Sequence, residues 1–191
     1  MSKFLISFVF TMLLLCWSVR ADDVYHVVLQ TEKGTIEMDL DNKHAPITTQ
    51  NFLKYLNDKA YDAGTFFRTV KKSNQPNDKI KIEVIQAVTN ETAKEYPAIP
   101  LETTKITGLH HLNGTISMAR AGPDTATASF FICINDQPEL DFGSKRNPDG
   151  QGFAAFGHVT KGMAVVRKIQ MAPSVDQKLA PAIFIKKAFQ K

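Results

Sequence analysis

The strongest constraint on the fold is a series of short strand-like segments separated by turn-forming residues. Each segment has five to seven residues, is rich in β-branched and aromatic side chains, and is bounded by Gly, Pro, Asn or Asp. Gly34 lies between the first two, which predicts a β-hairpin in which this glycine has a positive φ. This pattern favours a β-barrel or a β-sandwich over a helical fold. The segments cover residues 24–30, 35–40, 65–70, 82–88, 114–119, 130–134, 153–159 and 183–188.

Two stretches of the chain have helical character, at residues 46–58 and 163–169. Pro46 suits the first turn of a helix, and an approximate helical stripe of apolar residues follows it: Ile47, Phe52, Tyr55 and Leu56. Three other stretches are rich in polar residues, Pro or Gly and are predicted to be irregular: 71–81, 89–113 and 141–152. The first of them has no apolar stripe to bury, so we expect it to be exposed and mobile.

The N-terminus has the order of a secretory signal peptide. Lys3 supplies a positive charge, residues 4–17 are almost wholly apolar, and small residues precede a cleavage site after Ala21. We therefore expect a signal peptide over residues 1–21 and one domain over residues 24–191. Two alternatives remain: an uncleaved membrane anchor, although the apolar run is shorter than the roughly 20 residues of a spanning helix, and a lipoprotein attached at Cys16.

Removal of residues 1–21 would leave Cys133 as the only cysteine of the chain. A single cysteine cannot form an internal disulfide, and in an oxidising compartment it is safest when buried. Its neighbours Phe131, Ile132 and Ile134 are apolar, which predicts such burial.

The sequence lacks the motifs of the common hydrolases, nucleotide-binding proteins and metalloenzymes. It contains no G-x-S-x-G, P-loop, H-E-x-x-H or C-x-x-C pattern. The adjacent pair His110 and His111 could bind a metal, but neighbouring loop residues more often point apart, so we expect structural or solvated roles. A net charge of +4 without a basic run gives no support to nucleic-acid binding. We expect no cofactor, no metal and no nucleic-acid partner.

Three segments together resemble the cyclophilin family. Residues 65–70 (TFFRTV) resemble its F-H-R-V strand, residues 114–120 (GTISMAR) resemble G-x-[IL]-[SA]-M-A-[NR], and residues 128–132 (ASFFI) resemble S-Q-F-F-I. Residues 155–163 also match the family's V-F-G-x-V…G-M segment. Each motif alone is weak, but their order and spacing are specific, and the resemblance covers nearly all of residues 24–191.

The resemblance implies a mainly β fold, a closed eight-stranded antiparallel β-barrel capped by two α-helices. It implies a peptidyl-prolyl cis-trans isomerase that acts on proline-containing polypeptides without a cofactor. The nearest likeness is to bacterial exported cyclophilins, so we expect a periplasmic monomer that assists the folding of exported proteins, without stable membrane insertion after cleavage. The alternative is a weakly active or inactive cyclophilin-fold chaperone that binds proline-containing peptides. A carbohydrate- or lipid-binding barrel has no support in the sequence.

The same resemblance assigns the site residues. Arg68 matches the catalytic arginine, whose cation would stabilise the proline nitrogen of the twisted amide; the alternative is a surface ion pair. The residues implied in substrate binding are Phe131 as the floor of the proline pocket, Leu140 and Val84 as walls, Gln86, Ala119 and Arg120 beside the substrate backbone, and Ser129 and Phe153 at further pocket positions.

The chain also departs from the family pattern. Residues 71–81 replace a short turn, and Glu83 and Val84 fall where pocket Phe and Met are usual, with Ile82 as an alternative source of the apolar wall. Ser129 replaces a glutamine, and the pocket tryptophan and histidine correspond to Glu139 and Phe153. Ala87 and Val88 replace a Gly-Gly pair. Glu83, Ser129 and Glu139 favour the binder, whereas Arg68, Phe131 and Gln86 favour the enzyme.

Overall fold

Nine antiparallel strands form one sheet in the computed structural model, which describes residues 22–191. Their order is β1-β2-β7-β5-β6-β4-β3-β9, and pairing of β1 with β9 closes the sheet into an eight-stranded barrel. The short β8 pairs only with the beginning of β9. The strands are β1 Val24–Thr31, β2 Gly34–Asp41, β3 Thr65–Val70, β4 Val84–Val88, β5 Thr115–Met118, β6 Phe130–Cys133, β7 Ala154–Lys161, β8 Ser174–Val175 and β9 Lys178–Gln190. The expected fold class is thus confirmed, while the predicted signal peptide, 1–21, lies outside the described residues.

Two glycines allow the backbone geometry of the barrel at β2. Thr31 pairs with Gly34 across the first hairpin, and Gly34 has a φ of +133°, as the sequence predicted. Gly157 on β7 faces the β2 backbone so closely that a Cβ atom would lie 2.4 Å from the Asp39 carbonyl oxygen. Only glycine permits β2 and β7 to pair at this distance.

The barrel interior is filled by aromatic rings. The Phe52 ring lies 4.7 Å from that of Tyr61, 5.3 Å from that of Phe130 and 5.5 Å from that of Phe156, measured between centroids. These rings are fully buried, and such stacked and edge-to-face pairs add to the stabilisation from burial alone. This core fixes the strands whose outward faces build the candidate site.

Helix α1, Pro46–Asn57, covers one part of the barrel with Phe52, Leu53, Tyr55 and Leu56 buried. Ile47 is exposed, so its predicted place in the apolar stripe is wrong. It precedes Phe52 by five residues, about 140° around the helix, and therefore points away from the core. The Glu102 carboxylate accepts hydrogen bonds from the N–H groups of Ile47 and Thr48, at 3.1 and 2.7 Å, which satisfies the helix N-terminus.

Helix α3, Met163–Gln170, packs against β2, β3 and β4 and buries Val166 and Ile169. Three elements were not predicted from the sequence: helix α2, Thr104–Thr107, within the segment expected to be irregular, the short β8, and the first residues of β9. None of the helices in residues 22–191 has the length and apolar content required to cross a membrane.

The segment 71–81 differs from the exposed loop that was expected. Residues 72–74 form a 3-10 turn, and Gln75 is buried. The Gln75 side-chain amide donates to the carbonyl oxygens of Lys71 and Ile82, at 2.8 and 2.7 Å, and accepts the Ile82 N–H. A buried amide thus holds both ends of the segment together, whereas Pro76, Asn77 and Lys79 remain exposed.

Candidate active site

A shallow groove lies on the outer face of β3, β4 and β6. Consecutive residues of a strand point to opposite faces, so Phe130 enters the barrel core while Phe131 faces outward. Phe131 is nevertheless 5% exposed, because loops cover it. The expectation that one of these two phenylalanines lines a concave surface is confirmed. The apolar cluster around Phe131 consists of Val70, Ile82, Val84, Cys133 and Leu140, with Ala119 and Phe153 at its edge.

This groove contains a cavity of about 100 Å³ at the position predicted for the proline pocket. Its volume corresponds to about three water molecules, so it can hold one small ring but not a whole drug-sized ligand. The pocket brings together eight of the nine residues predicted from the sequence and adds Ile82, which supplies the apolar wall. It is lined by Arg68, Ile82, Val84, Gln86, Ala119, Arg120, Phe131, Leu140 and Phe153.

The Phe131 ring is fixed from two sides. The Phe153 ring meets it edge-on at 5.2 Å, and the His111 ring stacks on it at 6.0 Å. His111 is fully buried, with its Nδ1 2.6 Å from Asp141 Oδ1 and its Nε2 2.9 Å from Ser117 Oγ. The neutral ring therefore donates to the carboxylate and accepts the serine hydroxyl. The floor of the pocket is consequently rigid.

His111 was expected to be structural or solvated, and the structure gives it a specific structural role beneath the pocket. Burial lowers the pKa of His111, although its hydrogen bond to Asp141 opposes that shift. Burial raises the pKa of Asp141, but hydrogen bonds from His111 and His110 outweigh it and leave that pKa below its usual value. Within residues 22–191, His, Cys, Asp and Glu form no group of three or more suited to a metal ion.

Arg68 lies at the polar edge of the pocket, held by two side-chain amides. Its Nη1 donates to Gln86 Oε1 at 3.0 Å, and its Nε and Nη2 donate to Gln177 Oε1 at 2.9 and 2.5 Å. Three of the five guanidinium N–H groups are thus engaged and two remain. Gln86 is fixed in turn, because its Nε2 donates to Ser129 Oγ at 3.0 Å and Ser129 donates to the Ala87 carbonyl. Ser129 therefore does not line the pocket, and it holds Gln86 in place through this hydrogen bond.

The charge of Arg68 has no direct counterion. Among the described residues, no carboxylate oxygen lies within 4.0 Å of its guanidinium nitrogens, which excludes the surface ion pair considered from the sequence. Burial lowers the pKa of Arg68, the charge of Arg146 lowers it further, and Asp78 opposes both. The guanidinium stays protonated near neutral pH, and its charge is available to a bound molecule.

Gln177 is a site residue that the sequence reasoning missed. It lies in the turn between β8 and β9, 109 residues from Arg68, and no local motif marks it. Its backbone carbonyl accepts the Thr69 N–H at 2.8 Å, and its Nε2 donates to the Asn74 carbonyl at 3.2 Å. Asn74 donates in turn to the Thr69 and Asp176 carbonyls. The segment 71–81 therefore helps to fix the amide that orients Arg68.

Two acidic residues expected at pocket positions lie elsewhere. Glu83 points away from the pocket, where its carboxylate accepts hydrogen bonds from Asn135 and Gln170 at 3.1 and 3.4 Å. It precedes Val84 in the chain, and alternation sends the two side chains to opposite faces. Glu139 is exposed on a 3-10 turn, while the next residue, Leu140, enters the pocket wall. The apolar lining is therefore less disrupted than the sequence suggested.

Arg120 contributes its side chain to the pocket edge and not only its backbone. Its guanidinium makes two hydrogen bonds to Asp149, at 2.8 and 2.9 Å, and another to the Gly152 carbonyl at 2.8 Å. It also lies 5.2 Å from the Phe153 ring centroid. Hydrogen bonds from Arg120 lower the pKa of Asp149 to about 2. This ion pair holds the segment that carries Phe153.

The chain is similar in sequence to known proteins. The family model for cyclophilin type peptidyl-prolyl cis-trans isomerase/CLD matches residues 26–189. The chain is 37% identical over 145 residues to peptidyl-prolyl cis-trans isomerase A of Dickeya dadantii, covering 75% of this chain and 70% of the relative. It is 32% identical to peptidyl-prolyl cis-trans isomerase B of Escherichia coli, covering 75% and 83%.

The fold is also similar to solved structures. A cyclophilin type peptidyl-prolyl cis-trans isomerase of Cryptosporidium parvum matches with a TM-score of 0.71 at 21% sequence identity, covering 88% of this chain and 98% of that one. A second structure of that protein, in the presence of the dipeptide Ala-Pro, matches with a TM-score of 0.70. These matches show that this chain has the same barrel fold as the solved structures.

Proposed function

The chain belongs to the family of cyclophilin-type peptidyl-prolyl cis-trans isomerases, and from this premise we propose that Arg68 and the proline pocket rotate X-Pro bonds in exported polypeptides. The observation that carries the proposal is a guanidinium without a counterion, held at the edge of an apolar pocket by two amide oxygens. Such an arrangement suits a reaction that needs a fixed charge and no chemical intermediate.

The reaction sets modest chemical demands. Rotation about the peptide bond has a barrier of about 18–20 kcal/mol because amide resonance is lost at the twisted geometry. No bond is made or broken. In the twisted amide the proline nitrogen regains its lone pair and becomes a hydrogen-bond acceptor, so a donor that reaches this nitrogen stabilises the transition state more than either planar state. The two guanidinium N–H groups of Arg68 left unengaged by Gln86 and Gln177 are the donors proposed for this role.

The apolar side of the pocket is proposed to hold the proline ring. Phe131 forms the floor, and Ile82, Val84 and Leu140 form walls. A twisted amide is less dipolar than a planar one, so this apolar surface favours rotation as well as binding. Because Phe153 and His111 hold the Phe131 ring in place, little conformational entropy is lost when the proline ring packs on it.

The polar edge is proposed to hold the substrate backbone. The Ala119 N–H is already bound to the Ser129 carbonyl at 2.9 Å, so the Ala119 carbonyl is the group it has left for a peptide. The Gln86 amide has both its oxygen and its nitrogen engaged, but one N–H of its Nε2 remains for a substrate carbonyl. Gln86 would thus both orient Arg68 and bind the peptide.

We further propose that the clients are exported proteins in the periplasm. The support is the signal-peptide pattern of residues 1–21 together with the state of Cys133. This cysteine is fully buried, and burial raises the pKa of its thiol well above the usual value, which makes it unreactive in an oxidising compartment. The N-terminal sequence of protein recovered from the periplasm should begin at Asp22. An intact Met1, or a lipidated Cys16, would contradict this expectation.

The second candidate function is a chaperone that binds proline-containing chains without turnover, favoured by Ser129 and Phe153 at positions where the family has other residues. Exchange spectroscopy on a peptide with one Ala-Pro bond separates the two. The enzyme increases the cis-trans exchange rate at protein concentrations far below that of the peptide. A binder shifts the peptide resonances but leaves cis-trans exchange at its uncatalysed time of tens to hundreds of seconds.

A further inference from the structure

Arg146 joins two segments that border the proline pocket. Its Nη1 donates to the Ile80 carbonyl oxygen at 2.8 Å and lies 3.1 Å from Asp78 Oδ1. Ile80 and Asp78 belong to segment 71–81, whereas Arg146 belongs to segment 141–152. The Arg146 side chain is 17% exposed, so the larger part of it is shielded from water. It does not line the pocket itself.

Both segments continue directly into the pocket. Ile82, two residues after Ile80, supplies the apolar wall. Leu140 and Phe153, which also line the pocket, lie immediately before and after segment 141–152. Two residues of chain span at most about 7 Å, so the Ile80 carbonyl oxygen lies near the pocket wall.

Asp78 places a negative charge near Arg68. It belongs to a segment that replaces a short turn of the cyclophilin pattern, so the added residues bring a carboxylate to the edge of the site. The charge of Asp78 raises the pKa of the Arg68 guanidinium, whereas the charge of Arg146 lowers it. The two charges therefore act on Arg68 in opposite directions. An ion pair between Asp78 and Arg68 would occupy the cation that the proposed reaction requires.

Asp78 is paired with Arg146, while Arg68 is held by uncharged amides. A carboxylate whose charge is balanced at 3.1 Å exerts a much weaker field on a more distant cation. Arg146 is itself fixed by its hydrogen bond to the Ile80 carbonyl, which holds its guanidinium beside Asp78. This arrangement neutralises the carboxylate and leaves Arg68 without a counterion.

We propose that Arg146 is a positioning residue of the isomerase: it neutralises Asp78 and thereby keeps the cation of Arg68 available to the X-Pro bond, an inference that rests on the proposed function. Without Arg146, the Asp78 carboxylate would pair with Arg68 and compete with the proline nitrogen of the twisted amide. Turnover would then fall, because this contact is made in the transition state. Affinity would change little, because the proline ring packs on Phe131.

The test is a double-mutant cycle between Arg146 and Asp78. Exchange spectroscopy gives kcat, and titration gives Kd, for an Ala-Pro peptide with wild type, Arg146→Met, Asp78→Asn and the variant that carries both changes. Methionine keeps the apolar stem of the side chain and removes its charge. Two variants serve as controls: Arg146→Lys keeps the charge, and Arg167→Met removes a charge from the exposed face of α3, outside the pocket.

Arg146→Met should lower kcat about fivefold, as expected when one partly exposed ion pair forms at the wrong place, and should change Kd little. Asp78→Asn should remain within about twofold of wild type, and the double variant should return to that range, because no carboxylate is left to pair with Arg68. Both controls should stay within the same range. The Arg68 Nε resonance should shift in Arg146→Met and return in the double variant.

Two results would overturn the inference while leaving the enzyme intact. An unchanged kcat in Arg146→Met would show that Asp78 does not compete for Arg68. A double variant as slow as Arg146→Met would show that Arg146 acts only by holding segment 71–81 in place. Absence of catalysed exchange by the wild-type protein would instead refute the proposed function, so the two failures are distinguishable.

Discussion

Replacement of Arg68 by alanine removes the pocket cation that lacks a carboxylate partner. The other arginine of the pocket, Arg120, is paired with Asp149 and cannot substitute for it. The loss leaves the side-chain oxygens of Gln86 and Gln177 without their donor. Both residues are only partly buried, so water can satisfy these oxygens and we expect the barrel to remain folded.

The expected loss of turnover follows from one charge-assisted hydrogen bond. Such a bond contributes about 1.5–3 kcal/mol, and each 1.36 kcal/mol corresponds to a factor of ten in rate. Arg68→Ala should therefore lower kcat by one to two orders of magnitude. Affinity for a proline peptide should change little, because the guanidinium acts mainly on the twisted amide.

The assay is cis-trans exchange of an Ala-Pro peptide by NMR, with peptide affinity measured separately by titration. Arg68→Lys provides the matched variant: it keeps the charge but loses the planar fork that Gln86 and Gln177 orient, so it should recover only part of the activity. Near-ultraviolet circular dichroism controls for folding. Full turnover by folded Arg68→Ala would refute the mechanism, even if the enzyme itself is active.

Three further predictions concern the groups around Arg68. Phe131→Ala should weaken peptide affinity by about 1–3 kcal/mol through lost burial and lower kcat less than Arg68→Ala; an unchanged Kd in a folded variant would place the proline ring elsewhere. Gln177→Leu should lower kcat about three- to tenfold, because one or two hydrogen bonds to Arg68 are lost, and should change Kd little. In Gln177→Glu the new carboxylate should form an ion pair with Arg68, so that the guanidinium no longer lacks a counterion. An Arg68 Nε resonance unshifted in Gln177→Leu would show that Gln177 does not orient the guanidinium. Because the pKa of buried His111 lies below its unfolded value of 6.5, the unfolded state binds more protons below that pH, so the free energy of unfolding should fall as pH drops from 6.5 toward the folded pKa. The urea midpoint of unfolding, measured from pH 8 to pH 4, should show this decline. In the His111→Gln variant, the part of the decline that comes from His111 should be absent.

Local pattern predicted a β-barrel or a β-sandwich, and the resemblance to the cyclophilin family implied the closed barrel and most of the pocket residues. Strand alternation placed Phe130 and Phe131 on opposite faces, and the resemblance identified Phe131 as the pocket residue. The hairpin at Gly34 followed from turn chemistry. Glu83 was expected at a pocket position because the alignment of this segment to the family was uncertain. Strand alternation sends the Glu83 side chain to the face opposite that of Val84. Ile82 occupies that wall instead.

Contacts between segments far apart in the chain could not be predicted from the sequence. Gln177 meets Arg68 across 109 residues, through a hairpin whose first strand has two residues and no recognisable pattern. His111 was recognised as a member of a histidine pair, but its place beneath Phe131 depends on Asp141 and Ser117, which only the fold brings together. The burial of Gln75 depends likewise on its contact with Ile82.

The central step of the proposed mechanism is rotation of the X-Pro bond against Arg68 and Phe131. The direct test follows the peptide and these two side chains in one sample, by relaxation dispersion on Arg68 Nε and on the Phe131 ring during turnover of an Ala-Pro peptide. Both side chains should exchange at the rate at which the bound peptide interconverts, and this exchange should disappear with a peptide in which alanine replaces proline. Catalysed rotation of the peptide with no exchange at Arg68 Nε would contradict this mechanism.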